Sequence, residues 1–206
     1  MLPGSDRIVF ISFVPGSFGS FLLHCLSYSP SVYHRNTGNL YFDDNGACHY
    51  NITDFFTDFH SGQSIAKWFS LTTDKRNEFL VDNWKPTKEF VDSNLYYIHR
   101  SVLPKFTRLL KSHIPEAKYI KITIPEKYND VVVDMIIRKD TTSKPKKSYI
   151  NLKNNKVIDG VYDFDISHFI EGTFLEEFNK LSEWLNFEKV DVSIPYEEFK
   201  RVNNLA

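Results

Sequence analysis

The run RIVFISFVPGSFGSFLLHCLSYS, Arg7 to Ser29, holds a strand, a loop and a helix in succession. Ile8 to Val14 is almost wholly apolar, rich in β-branched residues and Phe, as expected of a strand covered on both faces of a parallel sheet. Pro15 and Gly16 break it. After Gly19, the residues Phe21, Leu22, Cys25 and Leu26 recur three and four apart, which is one face of a helix ending before Pro30. A Gly- and Ser-bearing loop at a helix start leaves backbone N–H groups without partners, and the helix dipole adds about half a positive charge there, so a phosphate or sulfate is the natural ligand. The loop departs from the nucleotide triphosphatase pattern G-x-x-x-x-G-K-[ST], because Gly16 and Gly19 stand too close and no Lys follows. The plain alternative is a tight strand-to-helix turn with nothing bound.

Outward from this segment, strands and helices alternate. Leu40 to Phe42 and Ala47 to Tyr50 flank Asp43-Asp44-Asn45-Gly46, a hairpin signature. Ile65, Trp68 and Phe69, then Phe79, Leu80 and Trp84, form helical stripes that read as core, with Thr72 or Thr73 placed to cap the second. Leu95 to His99 is a short strand ending in His99-Arg100, and a helix is expected from Leu103 to Ser112. Ala117 to Ile124 alternates as a third strand, and Pro125 opens a helix with Val131, Val132, Met135 and Ile136 on its apolar face. The stretch from Lys139 to Ser148, with four lysines and a Pro, is a solvated connection. Tyr149 to Leu152 and Lys156 to Ile158 predict a hairpin, and Val161 to Ile166 another strand. Thr173 with Glu176 is a capping box before a helix bearing Phe174, Phe178, Leu181 and Leu185, and Pro195 starts a final helix.

This order predicts one α/β domain over residues 1–206, three-layered, with a central, mostly parallel sheet and helices on both faces. In such sheets ligands collect at strand C-termini, so Ser17, Ser20 and His99 are expected to meet across one crevice. A chain of 206 residues with 42% hydrophobic and 16% aromatic content builds its own core. Net charge of −1 argues against a general nucleic-acid binder. The two cysteines, Cys25 and Cys48, are too few for a disulfide framework, and no apolar run reaches membrane-spanning length. A soluble, cytoplasmic protein is expected, with no membrane or nucleic-acid partner. His34, His49 and His60 lack metal-ligand spacing, so no metal is expected.

The order of parts resembles the PAPS-dependent sulfotransferases, which carry phosphoadenosine phosphosulfate on a P-loop-like α/β fold. Val14 to Phe21, VPGSFGSF, is similar to the family loop Y-P-K-S-G-T-T-W through Pro15, Ser17, Ser20 and the aromatic Phe21. YIHRSVLPKFTRLL, Tyr97 to Leu110, resembles the T-H-L-P segment, with the family's histidine on His99. The C-terminal order, with Trp184-Leu185 and the helix from Pro195, is also similar. The resemblance implies PAPS as cosubstrate, held by Pro15, Gly16, Ser17, Phe18, Gly19, Ser20 and Phe21. The sulfuryl group would pass to a hydroxyl or amine of a small-molecule or glycan acceptor. His99 would be the general base, and Arg100 or a loop lysine would neutralise charge on the leaving group. The family's loop lysine falls on Gly16. Its Arg and Ser for the three-prime phosphate fall on Thr123 and about Val131, with Lys121, Lys127, Arg138 and the Lys144, Lys146 and Lys147 cluster as substitutes. The competing reading is a binding module of the same fold that recognises an anionic ligand or a protein partner without turnover. A small-molecule kinase is disfavoured by the missing loop lysine.

Overall fold

The computed structural model describes residues 2–14, 17–33, 40–42, 48–50, 68, 70–101, 107–139 and 157–205. The first strand, β1 (Ile8–Ser12), is buried at every position, as its unbroken apolar run requires of a strand packed on both faces. It is central. β4 (Tyr97–Ser101) pairs with one edge and β5 (Lys118–Thr123) with the other, and β6 (Tyr162–Asp165) extends the sheet beyond β5, all parallel. β2 (Leu40–Phe42) and β3 (Cys48–Tyr50) form a separate antiparallel pair, the two arms of the expected hairpin, with residues 43–47 outside the described ones.

Alternation along β1 sends Val9 and Ile11 to one layer, Ile8 and Phe10 to the other. The first layer contains α1 (Gly19–Ser27), α5 (Asn129–Lys139), α6 (Ser167–Ile170), α7 (Phe174–Leu185) and α8 (Ser193–Asn203). Its centre is aromatic: Phe21 stacks on Phe199 at 4.2 Å between centroids, and Phe174 lies 4.7 Å from Tyr196. The second layer contains α2 (Thr73–Asn83), α3 (Lys88–Asp92) and α4 (Thr107–His113). Here Leu80, Trp84, Phe90 and Leu110 cover Ile8, Phe10, Tyr97 and Tyr119, and Trp68 is fully buried among them. Arg7 ties the layer to the start of the sheet, donating to the carbonyls of Phe90, Val91 and Ser93 at the end of α3, where a cation meets the negative end of the helix dipole.

The architecture is the expected three-layer α/β arrangement with a parallel central sheet. Element edges differ in ways that matter for the site. β4 runs two residues further than Leu95 to His99 allows, so His99 is mid-strand. The segment after Pro125 opens as a 3-10 turn, Glu126–Tyr128, before α5. The last helix begins at Ser193, with Pro195 in its first turn, where its missing N–H costs nothing. The expected hairpin from Tyr149 to Lys156, the Lys139 to Ser148 connection beyond Lys139, and the helical residues Ile65 and Phe69 lie outside the described residues, and Val157 and Ile158, which are described, are in no strand.

On α1, His24 is 8% exposed, and burial lowers its pKa from 6.5 to about 4. The folded state therefore favours the neutral ring, while the unfolded chain takes up a proton below pH 6.5, so stability falls as pH drops from 6.5 towards 4. The integrated loss is about 3 kcal/mol. In urea titrations His24→Gln is expected to show a smaller fall in stability between pH 7 and 4 than wild type; parallel curves would assign the acid sensitivity elsewhere.

Candidate functional site

Strand order places the site. The chain leaving β1 returns as β4 on one side, and the chain leaving β5 returns as β6 on the other, so the connections diverge between β1 and β5. A parallel sheet opens its ligand crevice at the C-terminal ends of such a strand pair.

The loop after β1 ends in an unusual backbone. Phe18 precedes α1 with φ 60° and ψ 14°, a left-handed conformation that is a true outlier for a bulky side chain. Its ring explains its persistence: it meets Phe199 edge-on at 4.9 Å and Phe169 at 5.3 Å, and is buried. A left-handed residue followed by a helical one turns three successive N–H groups into one concavity, an anion nest. Here these are the amides of Phe18, Gly19 and Ser20, from which no carbonyl among the described residues accepts; the helix bonds begin at Phe21 and Leu22, both donating to the Phe18 carbonyl. Ser20 is half-buried beside them.

Other expected loop contacts are used by the protein itself. Both the hydroxyl and the N–H of Ser17 donate to the Val14 carbonyl, at 2.6 and 3.0 Å, and Ser17 is fully buried. Its expected role on a phosphate gives way to that of a turn brace. Phe21 lies in the aromatic core, so it is no cosubstrate contact. Gly19 is demanded by packing, because a Cβ there would stand 2.1 Å from the Phe13 ring. Pro15 and Gly16 lie outside the described residues.

His99 does not face this nest. It is 1% exposed, its ring 5.2 Å from that of Phe10 and 6.3 Å from that of Tyr97, on the sheet face opposite α1. The sequence places it at a strand end; the structure carries the strand on to Ser101 and seats the imidazole in the core. The proposed meeting of Ser17, Ser20 and His99 across a crevice is therefore corrected to Ser20 and its neighbouring amides alone. Arg100 pairs through its backbone with Ile11, and its side chain is not among those described. Thr123 ends β5, and its hydroxyl lies 3.5 Å from the Phe164 carbonyl.

Of the substitute cations, Lys121 is the informative one. Register sets Ser12, Lys121 and Asp163 abreast near the C-terminal edge, and Lys121, only 1% exposed, pairs with Asp163 at 2.9 Å. Asp163 keeps 29% of its side chain in water. Sequence alternation reads Lys121 as the polar side of a strand, but both faces are covered, and nothing local in the sequence announces the pairing with Asp163. Lys127 is exposed and bound to Glu171 at 2.8 Å. Among the described residues no group of three or more His, Cys, Asp or Glu could hold a metal ion, and no helix is long and apolar enough to cross a membrane.

No protein-family model and no curated protein matches the chain. Among solved structures, the chain is similar to a crystal structure of a sulfotransferase from Alicyclobacillus acidocaldarius. The likeness covers 96% of this chain and 91% of that one at 10% sequence identity, with a TM-score of 0.42. At that distance it assigns neither residue roles nor an activity.

Two stability outcomes follow from this geometry. Gly19→Ala drives a methyl into the Phe13 ring and is expected to cost about 1–3 kcal/mol in chemical denaturation; an unchanged midpoint would show that Phe13 moves freely. Asp163→Asn strips the counter-charge from a lysine that water does not reach, costing about 3–5 kcal/mol, whereas Lys121→Met leaves a carboxylate that is already partly hydrated and costs less. The reverse order would place the burden of burial on Asp163.

Proposed function

We propose that this chain is a sulfotransferase-like α/β protein that binds a PAPS-class nucleotide, seating one phosphate in the nest formed by the Phe18, Gly19 and Ser20 amides. The observation that carries the reading is the left-handed Phe18. It turns three N–H groups, from which no carbonyl among the described residues accepts, toward one point at the start of α1, next to the crevice between β1 and β5. Strain of this kind persists where packing over-determines it, and it is concentrated at ligand sites.

Binding without turnover is preferred to transfer. The resemblance assigns proton removal to His99, whose ring lies among Phe10 and Tyr97 on the opposite sheet face. Gly16 stands where a lysine would stabilise the leaving oxygen. Sulfuryl transfer from PAPS to a hydroxyl or amine of a small-molecule or glycan acceptor is the second reading; the same nest supports it, but it calls for a base other than His99 and a cation other than one at position 16.

Calorimetry with phosphoadenosine phosphate tests the seat. Wild type is expected to bind at micromolar concentration. Ser20→Asp puts a carboxylate in the first turn, which favours the helix by about 0.3–1 kcal/mol while repelling an anion. It is expected to keep the wild-type melting temperature and weaken binding about tenfold or more. No binding by wild type at millimolar nucleotide, or equal affinity in the variant, would remove the nest as the site. Release of phosphoadenosine phosphate from PAPS in the presence of an acceptor would overturn the preference for binding alone.

A further inference from the structure

The corner between α6 and α7 holds a side-chain arrangement that the nucleotide seat does not use. Sequence predicts that Thr173 caps α7 through a capping box with Glu176. Instead Thr173 occupies the cap position but makes no cap bond, and its Oγ1 lies 2.8 Å from His168 Nδ1. Glu176 pairs with Lys180. A diverted cap hydroxyl costs a helix about 1 kcal/mol, and it leaves the amides of Phe174, Leu175 and Glu176 without carbonyl acceptors among the described residues. On the other side of the imidazole, Nε2 faces Glu177 Oε2 at 3.8 Å.

Glu177 is itself fixed. Its Oε1 accepts from the Tyr162 hydroxyl at 2.6 Å, Lys180 approaches Oε2 at 3.4 Å, and only 13% of the side chain is exposed. Burial and this hydrogen bond raise the pKa of Tyr162, which keeps it a donor. With the ring proton on Nε2 toward the carboxylate, Nδ1 accepts from the threonine hydroxyl. Thr173 is exposed, and the preceding Gly172, at φ 80°, has open space where a Cβ would project, so a ligand can approach the hydroxyl from that side.

We propose that Thr173, His168 and Glu177 form a hydroxyl nucleophile, its base and its orienting acid, and that this corner cleaves carboxylic esters. The arrangement is independent of the nucleotide seat. Thr173 Oγ1 attacks the ester carbonyl carbon as its proton passes to His168 Nδ1. The amides at the start of α7 stabilise the resulting oxyanion. Collapse breaks the acyl carbon to alcohol oxygen bond, and Nδ1 returns the proton to the departing oxygen. Water then attacks the acyl-threonine, giving its proton to Nδ1; the acyl carbon to Oγ1 bond breaks, Nδ1 returns the proton to Oγ1, and the carboxylic acid departs. Glu177 acts as a positioning residue, holding the ring and stabilising its protonated form.

The test uses the full chain and p-nitrophenyl acetate. Wild type is expected to release p-nitrophenol and to carry an acetyl group that tandem mass spectrometry maps to Thr173. Thr173→Val is expected to lower the rate by about a hundredfold, with Thr173→Ser retaining activity and both variants melting and binding phosphoadenosine phosphate like wild type. Glu177→Gln keeps the shape of the side chain but removes the charge beside Nε2, so it is expected to lower kcat about tenfold or more with KM unchanged, where a merely structural role would lower the melting temperature instead. Glu171 and Glu176 also feel the charge of His168, Phe164 meets its ring at 5.8 Å, and Lys127 and Lys180 pair with the two flanking carboxylates, so all of these stay unchanged in the variant. Acetylation of lysines only, no adduct at all, or an unaltered rate in Thr173→Val would each overturn the proposal.

Discussion

The contact of the Phe18 ring with Phe199 and Phe169 fixes the geometry on which the site depends. A left-handed backbone at an aromatic residue costs about 1–2 kcal/mol, and an aromatic pair returns about 0.5–1.5 kcal/mol beyond the area it buries. Two such contacts are enough to hold the strained residue in place. The bond from Ser17 to Val14 closes the turn on one side, and the Phe13 ring over Gly19 closes it on the other. The start of α1 is thus set by three aromatic rings and one serine brace, all anchored in the first layer of the core. The amides of the proposed seat are held in place by packing alone, an arrangement that would reduce the ordering cost of binding an anion.

The sheet faces divide the work. Toward α1 and the C-terminal helices, β1 and β5 present Val9, Ile11, Ile120 and Ile122, a purely apolar floor. Toward α2, α3 and α4 the rows change character along the strand direction, from Ile8 and Tyr97, through Phe10, His99 and Tyr119, to Ser12, Lys121 and Asp163. Polarity rises as the strands approach their C-terminal ends. The buried ion pair belongs to that gradient, with Lys121 and Asp163 as register partners on β5 and β6.

The fold was legible because its signals are local. An unbroken apolar run at Ile8 to Val14, helical stripes and Pro punctuation identify elements without knowledge of their partners. The same reading found Trp68, Leu80 and Trp84 as core. Of the candidate site, the sequence pointed to the loop that carries the Phe18, Gly19 and Ser20 amides now proposed as the seat, though Gly19 also answers to the Phe13 ring. His99 was misplaced because the end of a strand depends on which neighbour continues the ladder, and Ser101 finds its partner in Ser12, far away in sequence. The Thr173 cap failed for a related cause: a local pattern competes with a neighbouring side chain, and His168 won the hydroxyl. The left-handed Phe18 had no signal at all, since a bulky aromatic is the residue least expected there.

Register also dictates when the sheet can assemble. Val9 aligns with Lys118 and Ile8 with Tyr97, so the flanks of the central strand come from chain roughly 90 and 110 residues further on. During translation the N-terminal apolar segment leaves the ribosome long before the strands that cover its edges. Closing loops of this length slows folding and leaves a sticky, edge-bearing intermediate. A central strand whose two neighbours both lie far along the chain thus trades early pairing for burial on both edges.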